Sequence, residues 1–395
     1  MLDTDRLGLD AIRVDLGAIF VSLELSVKRW LVTSLSPGAG EKALRRKLDG
    51  GDLAGLLRLI DELQRKAQDR LGGWFEVVSV YEAGLDGFWL HRSLEAAGVE
   101  SWVVDPASVA VNRRQRRAKT DKIDGEALIR TLLAYKRGEP RACSMVRPPS
   151  PEVEDARTLS RERGVLMSER TSHANRIRGL LSAQGIRDFD PLLKRRRLER
   201  LEALVTGDGR PLPAQLKAYI ARELDRLAVV ETQLAKVEAQ RDARLAAAQA
   251  PGAADQGPVI PGARLTRLKG VGPESAAVLG AEVLWRSFDN RRQLGGYSGL
   301  TGSPFKSGQM DREQGISKAG NRRVRHILIE LAWSWLRHQP DSELALWFQA
   351  KVGPRPQARR RKVFIVALAR KLLIALWRYE TQGLVPPGAR LDQAA

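Results

Sequence analysis

Three prolines within four residues, Pro148, Pro149 and Pro151, divide this chain into stretches whose hydrophobic patterns belong to different kinds of fold. Before them, strands and helices alternate. Residues 11–33 read as two strands, rich in β-branched residues and alternation, with Trp30 to Thr33 forming the second. A helix is predicted at roughly 39–70, with Leu53, Leu56, Leu57, Leu59 and Ile60 on its apolar side. A core strand from Phe75 to Val80, a helix near 85–98 and a short strand from Ser101 to Asp105 follow. This order makes residues 1–147 an α/β layer domain.

Beyond the prolines the pattern is helical and charged. Leu159, Leu166, Ala174, Ile177 and Leu181 recur near heptad spacing, and Ile220, Leu227 and Leu234 repeat every seven residues, with Val230 and Val237 between them. Residues 148–250 therefore read as a helical segment forming an antiparallel or intersubunit coiled coil. The run Ala246 to Gly262, rich in Ala, Gly and Pro, is a linker or mobile turn, and residues 251–395 form a mostly helical C-terminal domain.

Four carboxylates stand out in the first domain. Asp121 and Asp124, three residues apart in Lys119-Thr120-Asp121-Lys122-Ile123-Asp124, project from one helix face, where they could share a divalent cation or merely favour the helix dipole. Asp15 falls inside the first predicted strand. Glu82 follows the Phe75–Val80 strand, at a carboxyl end where open α/β sheets usually place function. Brought together, four carboxylates suit a hard cation such as Mg²⁺ acting on a phosphate.

The charge agrees with a phosphate substrate. With 66 Lys and Arg against 47 Asp and Glu, the chain carries +19, which points to nucleic acid. Its distribution in several clusters argues against one membrane-binding arm. Arg113, Arg114, Arg116, Arg117 and Lys119 directly precede the aspartate pair. One cysteine, Cys143, excludes an intrachain disulfide framework and a cysteine-based zinc site, and a soluble cytoplasmic protein is expected.

The C-terminal part opens with Leu265 to Leu279, where Gly270-Val271-Gly272-Pro273 suggests either a phosphate-holding helix-hairpin-helix or a tight interhelical turn. Tyr297 to Gln309 reads as a polar loop containing Ser303 and Ser307. Ser317-Lys318-Ala319-Gly320-Asn321-Arg322-Arg323-Val324-Arg325 then opens a helix whose cations (Lys318, Arg322, Arg323 and Arg325) would meet phosphate. A last helix spans Val363 to Tyr379 after Arg359-Arg360-Arg361-Lys362.

These blocks, in this order, resemble the DEDD transposases of the bacterial insertion-sequence one-ten type, relatives of the pilin-gene invertases. The resemblance covers nearly the whole chain. It implies an N-terminal RuvC-like (RNase H-type) domain, a coiled-coil insertion that dimerises the protein, and a C-terminal transposase domain. It also implies a Mg²⁺-binding tetrad of Asp15, Glu82, Asp121 and Asp124, and a serine nucleophile that maps to Ser307. In such proteins the serine of one protomer completes the carboxylate site of another, in a dimer or tetramer, and a structured noncoding bridge RNA pairs with donor and target DNA. A bacterial cytoplasmic, nucleoid-associated protein follows from the same resemblance. Two departures are visible. Phe305-Lys306-Ser307-Gly308 lacks the paired serines of many relatives, so Ser303 is the second candidate, and Arg13-Val14-Asp15-Leu16-Gly17 lacks the usual small-residue approach to its aspartate. Two other readings stay open: a RuvC-like hydrolytic nuclease or junction resolvase, and a noncatalytic nucleic-acid-binding protein.

Overall fold

The computed structural model describes residues 16–39, 43–84, 86–109, 121–139, 142–249, 261–307, 310–318, 320–355 and 357–392; for 107, 121–124, 303–307 and 310–314 it describes the backbone alone. The chain divides into two compact units, 1–149 and 150–395.

The first unit is built on a six-stranded mixed sheet. β1 (Ala18–Glu24), β2 (Arg29–Leu35) and β3 (Leu44–Asp49) form an antiparallel meander. After α1 (Leu53–Leu71), β4 (Glu76–Glu82) returns parallel to β1, and after α2 (Trp89–Ala96), β5 (Glu100–Val104) lies parallel to β4. α3 (Asp121–Lys136) precedes the two-residue edge strand β6 (Met145–Val146), and the order across the sheet is β3-β2-β1-β4-β5-β6. Strand alternation sorts the side chains onto two faces. Ile19, Val21, Leu23, Val77, Tyr81 and Val103 pack with Leu56, Ile60 and Leu63 of α1 and Leu90 and Leu94 of α2. Phe20, Val78, Val80 and Val104 pack on the other face with Leu128, Ile129 and Leu132 of α3.

In the second unit, α4 (Pro151–Ser182) begins with Ser150 as its cap and Glu152 and Glu154 in its first turn, a favourable arrangement at a helix N-terminus. It leads through α5 (Arg197–Glu202) to α6 (Ala214–Ala247). α4 and α6 lie antiparallel: the pairs Asp155–Arg244, Arg163–Glu238, Arg170–Glu231 and Arg176–Glu223 climb one helix while descending the other. Ile177, Leu181, Ile220 and Leu227 are buried together, with Leu224 beside them, so these four heptad positions are covered within one chain. α7 (Pro273–Leu279), α8 (Arg291–Tyr297), the hairpin β7 (Gly302–Ser307) and β8 (Met310–Ile316), α9 (Arg322–His338), α10 (Glu343–Val352) and α11 (Ala358–Gln382) complete the unit. The core of this part contains Trp335, fully buried, whose Nε1 donates to Ser342 Oγ at 2.9 Å.

Several expectations are corrected. The segment 39–70 is not one helix, because β3 occupies its first part; its charged residues are tolerated on an edge strand, where the free side faces water. The residues before Gly270 form a five-residue 3₁₀ turn, Ala263–Arg267, in place of a full helix. Gly270, at φ +87°, lies so close to His338 that an added Cβ would sit 2.7 Å from its side chain, and Ser334 Oγ donates to the Gly270 carbonyl. That glycine serves a tight packed turn. The polar Ser/Gly segment is a β-hairpin, and α11 starts five residues before Val363. Most of the Ala246–Gly262 linker lies outside the described residues.

Candidate active site

The start of α3 approaches the sheet most closely at a small residue, Gly125. Ser22 Oγ, on β1, donates to the Gly125 carbonyl at 2.8 Å, and a Cβ added to Gly125 would lie 2.5 Å from Thr33 Oγ1 and 3.1 Å from Glu24 Oε1. Glycine there brings the first turn of α3 down onto β1 and β2. Asp121 and Asp124 belong to that turn.

Glu24 and Glu82 end neighbouring strands on the same face. Leu23 of β1 pairs with Tyr81 of β4, and the next residue on each strand is a glutamate. Alternation puts both glutamates on the α3 face: Leu23 and Tyr81 belong to the opposite core, while Ser22 bonds α3. The carboxyl ends of two parallel strands and the start of α3 thus bring acidic residues to one edge. Glu126 is drawn elsewhere, into an ion pair with Arg45 of β3.

Asp15 lies outside the described residues, as do Arg113, Arg114, Arg116, Arg117 and Lys119. Glu24 is absent from the sequence-based set. The run Phe20-Val21-Ser22-Leu23-Glu24 marks it, since a carboxylate there ends an otherwise apolar and small strand.

Ser303 and Ser307 lie on β7. Ser307 is its last residue and pairs with Met310, whereas Ser303 is next to the Gly302–Ile316 pair at the hairpin base. That base is anchored. Ser317 N–H donates to Thr301 O at 2.8 Å and Asn321 N–H to Tyr297 O at 2.9 Å. Asn321 Oδ1 caps α9, and its Nδ2 donates to Glu282 Oε2 at 3.0 Å. Glu282, in a π-helical turn spanning Gly280–Leu284, is buried and also accepts two bonds from Arg161 of α4 at 3.2 Å.

Among the four cations expected at this helix start, Lys318 and Arg322 are exposed. Arg323 donates instead to the carbonyls of Ser160 and Arg161, at 3.1 and 3.5 Å, and Arg325 to Ser298 O at 3.5 Å. Both tie elements of the second unit together. In Lys194-Arg195-Arg196-Arg197, Arg197 is buried against Glu231 at 3.0 Å, Lys194 lies 3.6 Å from the same carboxylate and Arg196 3.5 Å from Glu199.

Residues 35–184 match the family model of the IS110-type DEDD transposases, a span that holds Glu82, Asp121 and Asp124 but neither Asp15 nor Glu24. Residues 262–346, with both serines, match the model described as the transposase IS116/IS110/IS902 family. The chain is 57% identical over 381 residues, 96% of each chain, to the "Putative transposase y4rJ" of Sinorhizobium fredii. It is 25% identical over 295 residues, 74% of each chain, to the transposase for insertion sequence element IS1111A of Coxiella burnetii. Among the described residues, no helix is long and apolar enough to cross a membrane. A carboxylate-bearing sheet edge, a serine-bearing hairpin and near full-length similarity to one relative lead to one conclusion: the chain belongs to the IS110 family of transposases, enzymes that cut and rejoin DNA.

Proposed function

We propose that this transposase exchanges DNA strands through attack of Ser307 on a phosphodiester, assisted by a divalent cation held by Glu24, Glu82, Asp121 and Asp124. The observation that supports this most directly is the convergence of Glu24, Glu82 and the first turn of α3 on one face and edge of the sheet. Such a set of oxygen donors fits a hard cation such as Mg²⁺, which when bound would offset charge building on the phosphate. We assign to Glu24 the place that the resemblance gives to Asp15, which lies outside the described residues. The mixed sheet with acidic residues at its parallel strand ends fits a RuvC-like domain.

Ser307 Oγ forms the new bond to phosphorus as the bond to a deoxyribose oxygen breaks. The serine proton leaves to a base or solvent, and the departing oxygen gains one. The phosphoserine keeps the phosphodiester energy, and the reverse attack by another strand end rejoins DNA without ATP. Ser307 is preferred to Ser303 because it stands at the far end of β7, away from the anchored base. It belongs to the second unit, and we assign it to the carboxylates of a partner protomer. A net charge of +19 supports more nucleic-acid contact than one duplex requires, and we assign the remainder to a structured guide RNA that pairs with donor and target DNA.

The experiment combines the protein, Mg²⁺, RNA transcribed from the element's flanks and labelled donor DNA, then looks for a protein–DNA adduct that survives denaturation. The adduct should vanish in Ser307→Ala, Glu24→Gln and Asp121→Asn, and persist in Asp15→Asn. Nicking without an adduct would establish the hydrolytic nuclease instead, and loss in Asp15→Asn with retention in Glu24→Gln would return the tetrad to Asp15.

A further inference from the structure

The cations of the second unit are held in two different ways. Around α4 and α6, Arg161, Arg163, Arg170, Arg176, Arg197 and Arg241 each reach a carboxylate. From Glu343 to Gln382 there are nine Lys and Arg but two acidic residues, Glu343 and Glu380. Glu380 lies toward the end of α11, where it accepts from the Gly262 amide.

From the start of α11 to its middle, cations rest on rings. Lys371 Nζ lies 4.7 Å from the Trp347 ring centre, the Arg361 guanidinium 4.7 Å from Trp333, and the Arg360 guanidinium 5.9 Å from Phe364. Trp347 and Phe364 meet edge-on at 6.1 Å, and Arg360 Nε donates to the Lys351 carbonyl at 2.9 Å. Arg360, Phe364, Trp347 and Lys371 are therefore one continuous strip across α10 and α11, with Arg361 on Trp333 beside it. A ring orients a cation without cancelling its charge, an interaction worth about 0.5–1 kcal/mol when exposed. The strip is thus both ordered and positive. It is not optimised for stability, since Arg359 to Lys362 occupy the positive end of the α11 dipole.

We propose that this strip is a docking surface for the phosphate backbone of duplex DNA. The inference rests on the chain's action on DNA and not on its serine chemistry. Arg360 and Lys371 are eleven residues apart on one helix, roughly 16 Å at ~1.5 Å per residue. That length faces on the order of five phosphates of each strand at ~3.4 Å spacing. A rigid row of charges suits a rigid duplex. The rings are covered by their own cations, so they do not offer the open faces on which unpaired bases stack. Contacts of this kind hold and orient DNA without reading its sequence.

The test measures binding of the full chain to a labelled DNA duplex of about 30 base pairs by fluorescence anisotropy across a salt series, without Mg²⁺. Because no strand is cut, failure of the serine mechanism leaves this readout untouched. The triple variant R360Q/R361Q/K371Q should bind at least about tenfold more weakly at moderate salt. The slope of log affinity against log salt should become shallower by between about two and three, close to ~0.9 for each phosphate that is no longer neutralised. R360K/R361K should keep the slope. If the triple variant melts early, K371Q alone, at an exposed position, should still reduce the slope by about one. An unchanged slope in folded variants would overturn the proposal, as would weakening confined to single-stranded DNA or to duplex RNA.

Discussion

Gly125 of α3 and Thr33 of β2 approach so closely that a single methyl group on the glycine would lie 2.5 Å from the threonine hydroxyl. In an ordinary helix interior, Gly→Ala stabilises by up to about 1 kcal/mol. Here the sign should reverse, because the added atom meets the side chains of both Thr33 and Glu24 and lifts the turn that carries Asp121 and Asp124. Gly125→Ala should lower the melting temperature of the first unit and reduce adduct formation at least tenfold. A more stable variant with unchanged activity would show that α3 need not sit so low.

Asn321 fastens the start of α9 in two ways, capping the amides of Arg323 and Val324 and donating to buried Glu282. Loss of a cap costs about 1 kcal/mol, and an abandoned buried acceptor adds about 1–3 kcal/mol. Asn321→Ala should therefore destabilise the second unit by about 2–4 kcal/mol in a denaturant titration. Asn321→Asp should keep the cap but repel Glu282, and fall between wild type and Asn321→Ala. If Asn321→Ala costs under about 0.5 kcal/mol, the link to Glu282 is dispensable.

Glu223 is 1% exposed and lies 2.7 Å from His173 Nδ1 and 2.8 Å from Arg176, with Arg226 bound to its other oxygen. Burial pushes its carboxyl up, but hydrogen bonds from His173 and Arg176, the Arg176 charge and the Arg226 bond together hold it below the ordinary 4.5. A depressed carboxyl contributes stability above its unfolded value and loses it as pH falls through the folded value. Glu223→Gln should be clearly destabilised at neutral pH, by up to about 3–5 kcal/mol as for other broken buried ion pairs. The gap from wild type should narrow below about pH 4.5. A gap that stays constant on acidification would mean that the carboxylate charge contributes nothing.

How much could be read in advance depended on what each segment buries. β1, β2, β4 and β5 carry β-branched and aromatic residues on at least one covered face, and their runs announce strands. β3 does not, because Leu44-Arg45-Arg46-Lys47-Leu48-Asp49 is an edge strand whose reason to be extended is its pairing with β2, a partner outside its own window. The serine hairpin was hidden for a related reason: Ser, Gly and Lys dominate β7, and pairing with β8 makes it a strand. The strand end that carries Glu82 and the helix start that carries Asp121 and Asp124 were legible from position alone. The nearness of Glu24 to α3 was not, since it depends on Gly125, a hundred residues away, letting a helix settle against it.

The charges within the α4–α6 pair have a mechanical consequence. Glu223 and Glu231 are buried about two turns apart along α6, facing Arg176 and Arg170 of α4. Sliding one helix past the other by a single turn, about 5.4 Å, would strand those charges against the wrong neighbours. The pair is therefore toothed like a ratchet rack that engages at one setting, and its 34-residue helix acts as a strut of fixed length, near 50 Å at ~1.5 Å per residue.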